Sequence, residues 1–100
     1  MPDTKPGPRL LLRRGQDEPT VFPLVLPHTL IGRIDSNHVT LDHPSVSRVH
    51  ARITVEKQGV EIEDCGSSTG TLVNGHLIDR ARLRDGDEIK VGTVALTYAE

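Results

Sequence analysis

The chain has 100 residues, a formal net charge of −2 and one cysteine, Cys65. That length suits a single small domain, a lone cysteine excludes an internal disulfide, and no apolar run approaches the roughly 18 residues of a membrane-spanning helix. The near-neutral charge and the presence of only two aromatic residues, Phe22 and Tyr98, argue against a general nucleic-acid binder, which needs many phosphate contacts or stacking platforms.

Residues 1–8 contain three prolines and a glycine with no apolar stretch and no cleavage pattern. They read as a disordered tail rather than a secretory signal, which leads to the expectation of a cytoplasmic protein whose domain spans residues 9–99. From there the chain is a series of short β-type segments divided by turn residues, the pattern of an all-β sandwich or barrel. Arg9–Arg14 carries Leu10, Leu11 and Leu12, and Gly15 to Pro19 turns the chain. Thr20–Leu26 alternates Val21, Pro23 and Val25 with Phe22, Leu24 and Leu26; Pro23 marks it as an edge strand. Thr29–Ile34 and His38–Leu41 follow as the third and fourth segments.

Val49–Glu56 alternates apolar Val49, Ala51, Ile53 and Val55 with polar His50, Arg52, Thr54 and Glu56, which predicts a half-buried strand. Gln58-Gly59 turns it into Val60–Glu63 as a hairpin. Thr71–Val73 and His76–Ile78 flank Asn74-Gly75, the strongest short hairpin signal, and Asp85-Gly86 reads as a second turn of that kind before Glu88–Val91 and Val94–Tyr98. Glycine or proline interrupts every stretch before three helical turns are complete, and β-branched residues crowd the rest. The expected fold is all-β, two packed and mainly antiparallel sheets.

Three loops carry the chemistry. Gly32–His38 begins with Arg33, Asp42–Arg48 ends in Ser47-Arg48, and Gly66–Gly70 holds Ser67, Ser68 and Thr69. A guanidinium can meet a phosphate with two charge-assisted bonds, while hydroxyls and loop N–H groups serve its other oxygens. Each residue taken singly also has a plainer reading. Arg33 is a solvated arginine at a strand end, and the hydroxyls cap their own turn. His50 bridges two loops through its two ring nitrogens. Asp64 anchors the loop that follows it. Ser47 and His50 do not suggest a hydrolase, since no Gly-x-Ser-x-Gly elbow is present and three residues along a strand put the two side chains on opposite faces. The glycine-flanked hydroxyls lack the Lys of a nucleotide phosphate loop. His28, His38, His43 and His76 are scattered and read as solvated loop residues, and Cys65 reads as a small packed residue, so no metal site or cofactor is expected.

In combination these elements resemble the forkhead-associated (FHA) domain family. The resemblance rests on Gly32-Arg33, Ser47-Arg48-Val49-His50-Ala51, the run Asp64–Gly75 and the run Leu83–Gly92, and it extends from about Arg9 to Tyr98. It implies a sandwich of about eleven strands whose loops at one end hold a phosphothreonine peptide, and hence an adaptor in Ser/Thr kinase signalling, not an enzyme. By that likeness Arg33, Ser47 and Ser68 bind phosphate and Arg48 and Thr69 meet the peptide. Gly32, His50, Gly70, Asn74 and Gly75 shape the loops. Thr69 departs from the family's usual Asn, which implies a weaker grip on the peptide backbone. The implied partner is a threonine-phosphorylated protein, with neither nucleic acid nor membrane, met by a monomer. The alternative is a phosphate-independent scaffold of the same fold. Thr4 is read as an unmodified tail residue; the alternative is that its phosphorylation lets the tail occupy the domain's own site.

Overall fold

The computed structural model describes residues 7–100, so Thr4 and most of the expected tail lie outside it. Eleven strands form two sheets. The first sheet contains β1 (Arg9–Leu12), β2 (Thr20–Pro23), β7 (Thr71–Val73), β8 (His76–Ile78), β10 (Glu88–Val91) and β11 (Val94–Ala99), in the order β2-β1-β11-β10-β7-β8. The second contains β3 (His28–Gly32), β4 (Val39–Thr40), β5 (Ala51–Glu56), β6 (Gly59–Asp64) and β9 (Arg80–Leu83), in the order β4-β3-β5-β6-β9. Every pairing is antiparallel except the short β3–β4 pair.

Alternation decides which residues enter the core. Leu10, Leu12, Ile89, Val91, Leu96 and Tyr98 point inward from the first sheet and Ile31, Ala51, Ile53, Val60, Ile62 and Leu83 from the second. Leu24, Leu41 and Val46 are contributed by loops and are also buried. The β2 strand is an edge, as Pro23 requires, because a residue without an N–H cannot bond on both sides. Asn74 (φ 51°) and Gly75 (φ 81°) both occupy the left-handed region and close the β7–β8 hairpin, with Val73 opposite His76.

Several expectations from the sequence need correction. Arg80–Leu83 is a strand that the alternation did not reveal, since Arg80 and Arg82 face solvent and Ala81 is only half-buried; pairing with β6 makes it the edge of the second sheet. Asp85-Gly86 is consequently not a hairpin turn but a corner that carries the chain from one sheet to the other, held by Asp87 N–H to the Arg84 carbonyl (2.9 Å) and Gly86 N–H to the Tyr98 carbonyl (2.8 Å). The strand expected from Val49 begins at Ala51. Val49 is exposed while His50 is fully buried, because two backbone groups from neighbouring loops satisfy the imidazole. Cys65 is exposed rather than packed. His28, His38 and His43 are exposed yet fixed by hydrogen bonds rather than merely solvated; His28 Nδ1 meets Thr54 Oγ1 (3.1 Å), and His38 Nδ1 accepts from Leu30 N–H (2.9 Å).

The register brings the three loops to one end. Ile31 lies opposite Ala51, and Ala51 lies opposite Asp64, so the end of β3, the start of β5 and the end of β6 are neighbours. The ladder continues one step further, from His50 N–H to the Ile31 carbonyl (2.8 Å) and from Cys65 N–H to the His50 carbonyl (2.9 Å).

Candidate phosphate-binding loop cluster

Gly32 allows the first two loops to touch. A Cβ there would overlap the Arg48 carbonyl and stand 2.6 Å from Asn37 Nδ2. The loop approach continues through Arg33 N–H, which donates to the Ser47 carbonyl (3.0 Å), and Asn37 Nδ2, which donates to both the Ile34 and the Arg48 carbonyls (2.7 Å each). Asn37 is 93% buried, being 7% exposed, and no sequence pattern singled it out, because its partners are main-chain carbonyls three and eleven residues away.

Arg33 is half-buried, and its Nε donates to the Val46 carbonyl at 3.0 Å. The Val46 side chain is 1% exposed, so the carbonyl that orients the guanidinium is anchored in the core. Neither Arg33 nor Arg48 forms an ion pair among the described residues; the ion pairs there are Arg52–Glu63, Arg80–Glu61 and Arg80–Glu63 on the β5–β6–β9 face. The Nη groups of Arg33 therefore remain available to an anion. The Arg48 side chain is exposed.

His50 joins the second loop to the third. Its Nδ1 accepts from Ser47 N–H (3.0 Å) and its Nε2 donates to the Gly70 carbonyl (2.9 Å), the two-loop bridge expected from its chemistry. With the Ser47 N–H held by His50 and the Ser47 carbonyl by Arg33, the position of the Ser47 side chain is fixed. Ser47 Oγ accepts from Ser68 N–H (3.1 Å) and lies 3.4 Å from Ser68 Oγ. Arg33, Ser47 and Ser68 are thus linked through one short set of bonds, and Ser47 meets Ser68 across 21 residues of sequence. Both His50 nitrogens are committed to backbone groups, so the ring is not oriented as a base toward Ser47 Oγ.

The third loop is built around Asp64. Its Oδ2 accepts from Gly66 and Ser67 N–H (3.0 Å each), and its Oδ1 accepts from Ser67 Oγ (2.6 Å) and Thr71 Oγ1 (2.7 Å). Partial burial works to raise the carboxyl pKa, but these four donors outweigh it and hold the group below the usual carboxylate range. Ser67 Oγ also accepts from Gly70 N–H (2.9 Å), so Ser67 caps its own turn and only Ser68 of the serine pair faces Ser47. Gly70 has φ 89°, and a Cβ there would stand 2.6 Å from Leu77 Cδ1. The hydroxyl of Thr69 donates to the Ser45 carbonyl (2.9 Å), tying this loop to the second one.

Ser45 carries no motif signal of its own. Its Oγ accepts from Thr93 N–H (2.9 Å) and lies 2.8 Å from His43 Nδ1, and Gly92 leaves the room it needs. Asn74 and Gly75 are away from this cluster; the Asn74 side chain bonds Asp87 Oδ1 and Glu88 N–H (2.9 Å each) and braces the hairpin. Among the described residues no group of three or more His, Cys, Asp or Glu side chains could hold a metal ion, and no helix is long and apolar enough to cross a membrane.

The family model for the FHA domain matches residues 29–92, which include all three loops, and the chain belongs to that family. It is 36% identical over 89 residues to the glycogen accumulation regulator GarA of Mycolicibacterium smegmatis, covering 89% of this chain and 56% of that protein. The chain therefore spans little more than half the length of that relative. A structure from work on phosphothreonine-dependent FHA domain interactions superposes with a TM-score of 0.86 at 28% identity, covering 93% of this chain and 95% of the other. The structure of Mycobacterium tuberculosis EmbR in complex with a low-affinity phosphopeptide has a TM-score of 0.81 at 32% identity, covering 91% of this chain and 24% of EmbR.

Proposed function

We propose that this domain binds threonine-phosphorylated peptides or proteins and acts as an adaptor in Ser/Thr kinase signalling. The observation that carries the reading is the convergence of Arg33, Ser47 and Ser68 from three loops, with the Arg33 Nη groups unpaired by any described acid. A phosphothreonine brings about −1.5 to −2 charges and three acceptor oxygens. Arg33 takes two of the bonds, and the Ser47 and Ser68 hydroxyls take the rest. Arg48 adds positive charge at the rim, and Thr69 lines the peptide path through what its hydroxyl leaves exposed.

The contacts are pre-formed, so the phosphate does not have to order the loops. Each charge-assisted bond contributes about 1.5–3 kcal/mol, offset by ordering the peptide, and the net is about −8 kcal/mol, a micromolar complex. No step of bond making is assigned, since the His50 ring is occupied by Ser47 N–H and the Gly70 carbonyl. The domain is taken as residues 9–99, monomeric and cytoplasmic; net charge −2 argues for a local anion site rather than a nucleic-acid surface.

Calorimetric titration with phosphothreonine, phosphoserine and unphosphorylated peptide pools tests this, with Arg33→Ala as control. Binding that needs both the phosphate and Arg33 is the expected result. Equal binding of the unphosphorylated pool points to a phosphate-independent scaffold instead, and no binding by folded protein removes the reading.

A further inference from the structure

Beside the loop cluster lies a groove of about 330 Å³ whose wall includes Ser68 and Thr69, so it is continuous with the candidate phosphate site. Resting on the phosphothreonine reading above, we propose that this groove is a second subsite that selects a lysine or arginine side chain of the same bound peptide.

Its walls differ sharply in chemistry. Part of the lining is apolar, formed by Leu77 and Ile78 of β8, and Leu77 is 73% exposed, so its aliphatic surface is open to a ligand. Gly70 forms part of the same lining, and its missing Cβ is what lets Leu77 Cδ1 approach the loop. The lining also includes two carboxylate residues, Asp64 and Asp79, with different capacities. Asp64 already accepts from four donors and has nothing left to offer a ligand.

Asp79 is exposed between β8 and β9, and its carboxylate has no hydrogen bond or ion pair among the described residues. The adjacent cation does not neutralise it, because Arg80 is held by Glu61 (3.4 Å) and Glu63 (3.1 Å). Only the main chain of Asp79 is engaged, its carbonyl accepting from Asp64 N–H at 2.8 Å, so the residue is rigidly placed while its side chain is free.

An aliphatic wall ending in an unpaired carboxylate fits a side chain with a long apolar stem and a cationic head, which lysine and arginine supply. The arrangement is also complementary in charge along the peptide. The phosphate meets Arg33 at one end, and the cation meets Asp79 at the other, with Ser68 bordering both.

The test is selection from a phosphothreonine peptide library with every flanking position randomised, read by sequencing, for the wild-type domain, Asp79→Asn and Asp79→Lys. The wild type is expected to enrich Lys and Arg at one flanking position by roughly two- to fivefold, the size of an exposed ion pair. Asp79→Asn is expected to lose that enrichment while phosphate dependence persists, and Asp79→Lys to enrich Asp or Glu there instead. Phosphate-dependent binding without basic enrichment, or with enrichment that Asp79→Lys leaves unchanged, overturns the subsite and spares the function. No phosphate-dependent binding by wild-type protein with a folded β spectrum overturns both.

Discussion

Replacing His50 with alanine removes the buried side chain that bridges the second and third loops, and its cost can be worked from the structure. The imidazole is fully buried and satisfies Ser47 N–H at 3.0 Å and the Gly70 carbonyl at 2.9 Å. Each group left without a partner costs about 1–3 kcal/mol, and the vacated ring volume adds to that, so His50→Ala should lose about 3–5 kcal/mol. Against a total of about 5–15 kcal/mol, this is a large fraction. Urea unfolding followed by circular dichroism would read it as a fall in midpoint at unchanged slope. His50→Asn retains an acceptor near the Nδ1 position but does not reach Gly70, and should fall between wild type and alanine. A loss below about 1 kcal/mol for His50→Ala, or an asparagine variant no better than alanine, would refute the bridging argument.

Gly32→Ala should destabilise by at least about 2 kcal/mol, since its Cβ overlaps the Arg48 carbonyl and neither strand end can retreat without breaking the Arg33–Ser47 and Asn37 bonds; thermal melting checks this. Asp64, with a folded pKa below its unfolded value of about 4, contributes stability that is present above pH 4 and lost as the pH falls through the depressed value; Asp64→Asn should flatten that part of an acid titration of unfolding free energy. Thr69→Asn should tighten phosphopeptide binding about two- to tenfold, the range of one neutral hydrogen bond, with phosphate dependence retained in calorimetry.

Much of this protein was decided by local chemistry that a sequence displays. Alternation in Ala51–Glu56 and Gly59–Asp64, the proline in β2 and the Asn74-Gly75 pair each act over a few residues, and each produced the element expected of it. The order of Arg33, Ser47 and Ser68 could be read as well, and so could the bridging capacity of His50 and the anchoring role of Asp64.

Tertiary structure decided the rest, because the deciding partners are distant in sequence. β9 has an exposed charge on either side of Ala81 and becomes a strand only because β6 offers an edge to pair with. His50 is inside and Val49 outside because burial of a satisfied imidazole wins over apolar alternation when two main-chain groups must be capped. Asn37 and Ser45 belong to the cluster only through carbonyls and N–H groups that every residue type has, so nothing in their identity or spacing marks them. The meeting of the three loops itself follows from register, Ile31 beside Ala51 beside Asp64, and a register is a property of the folded sheet rather than of any one segment.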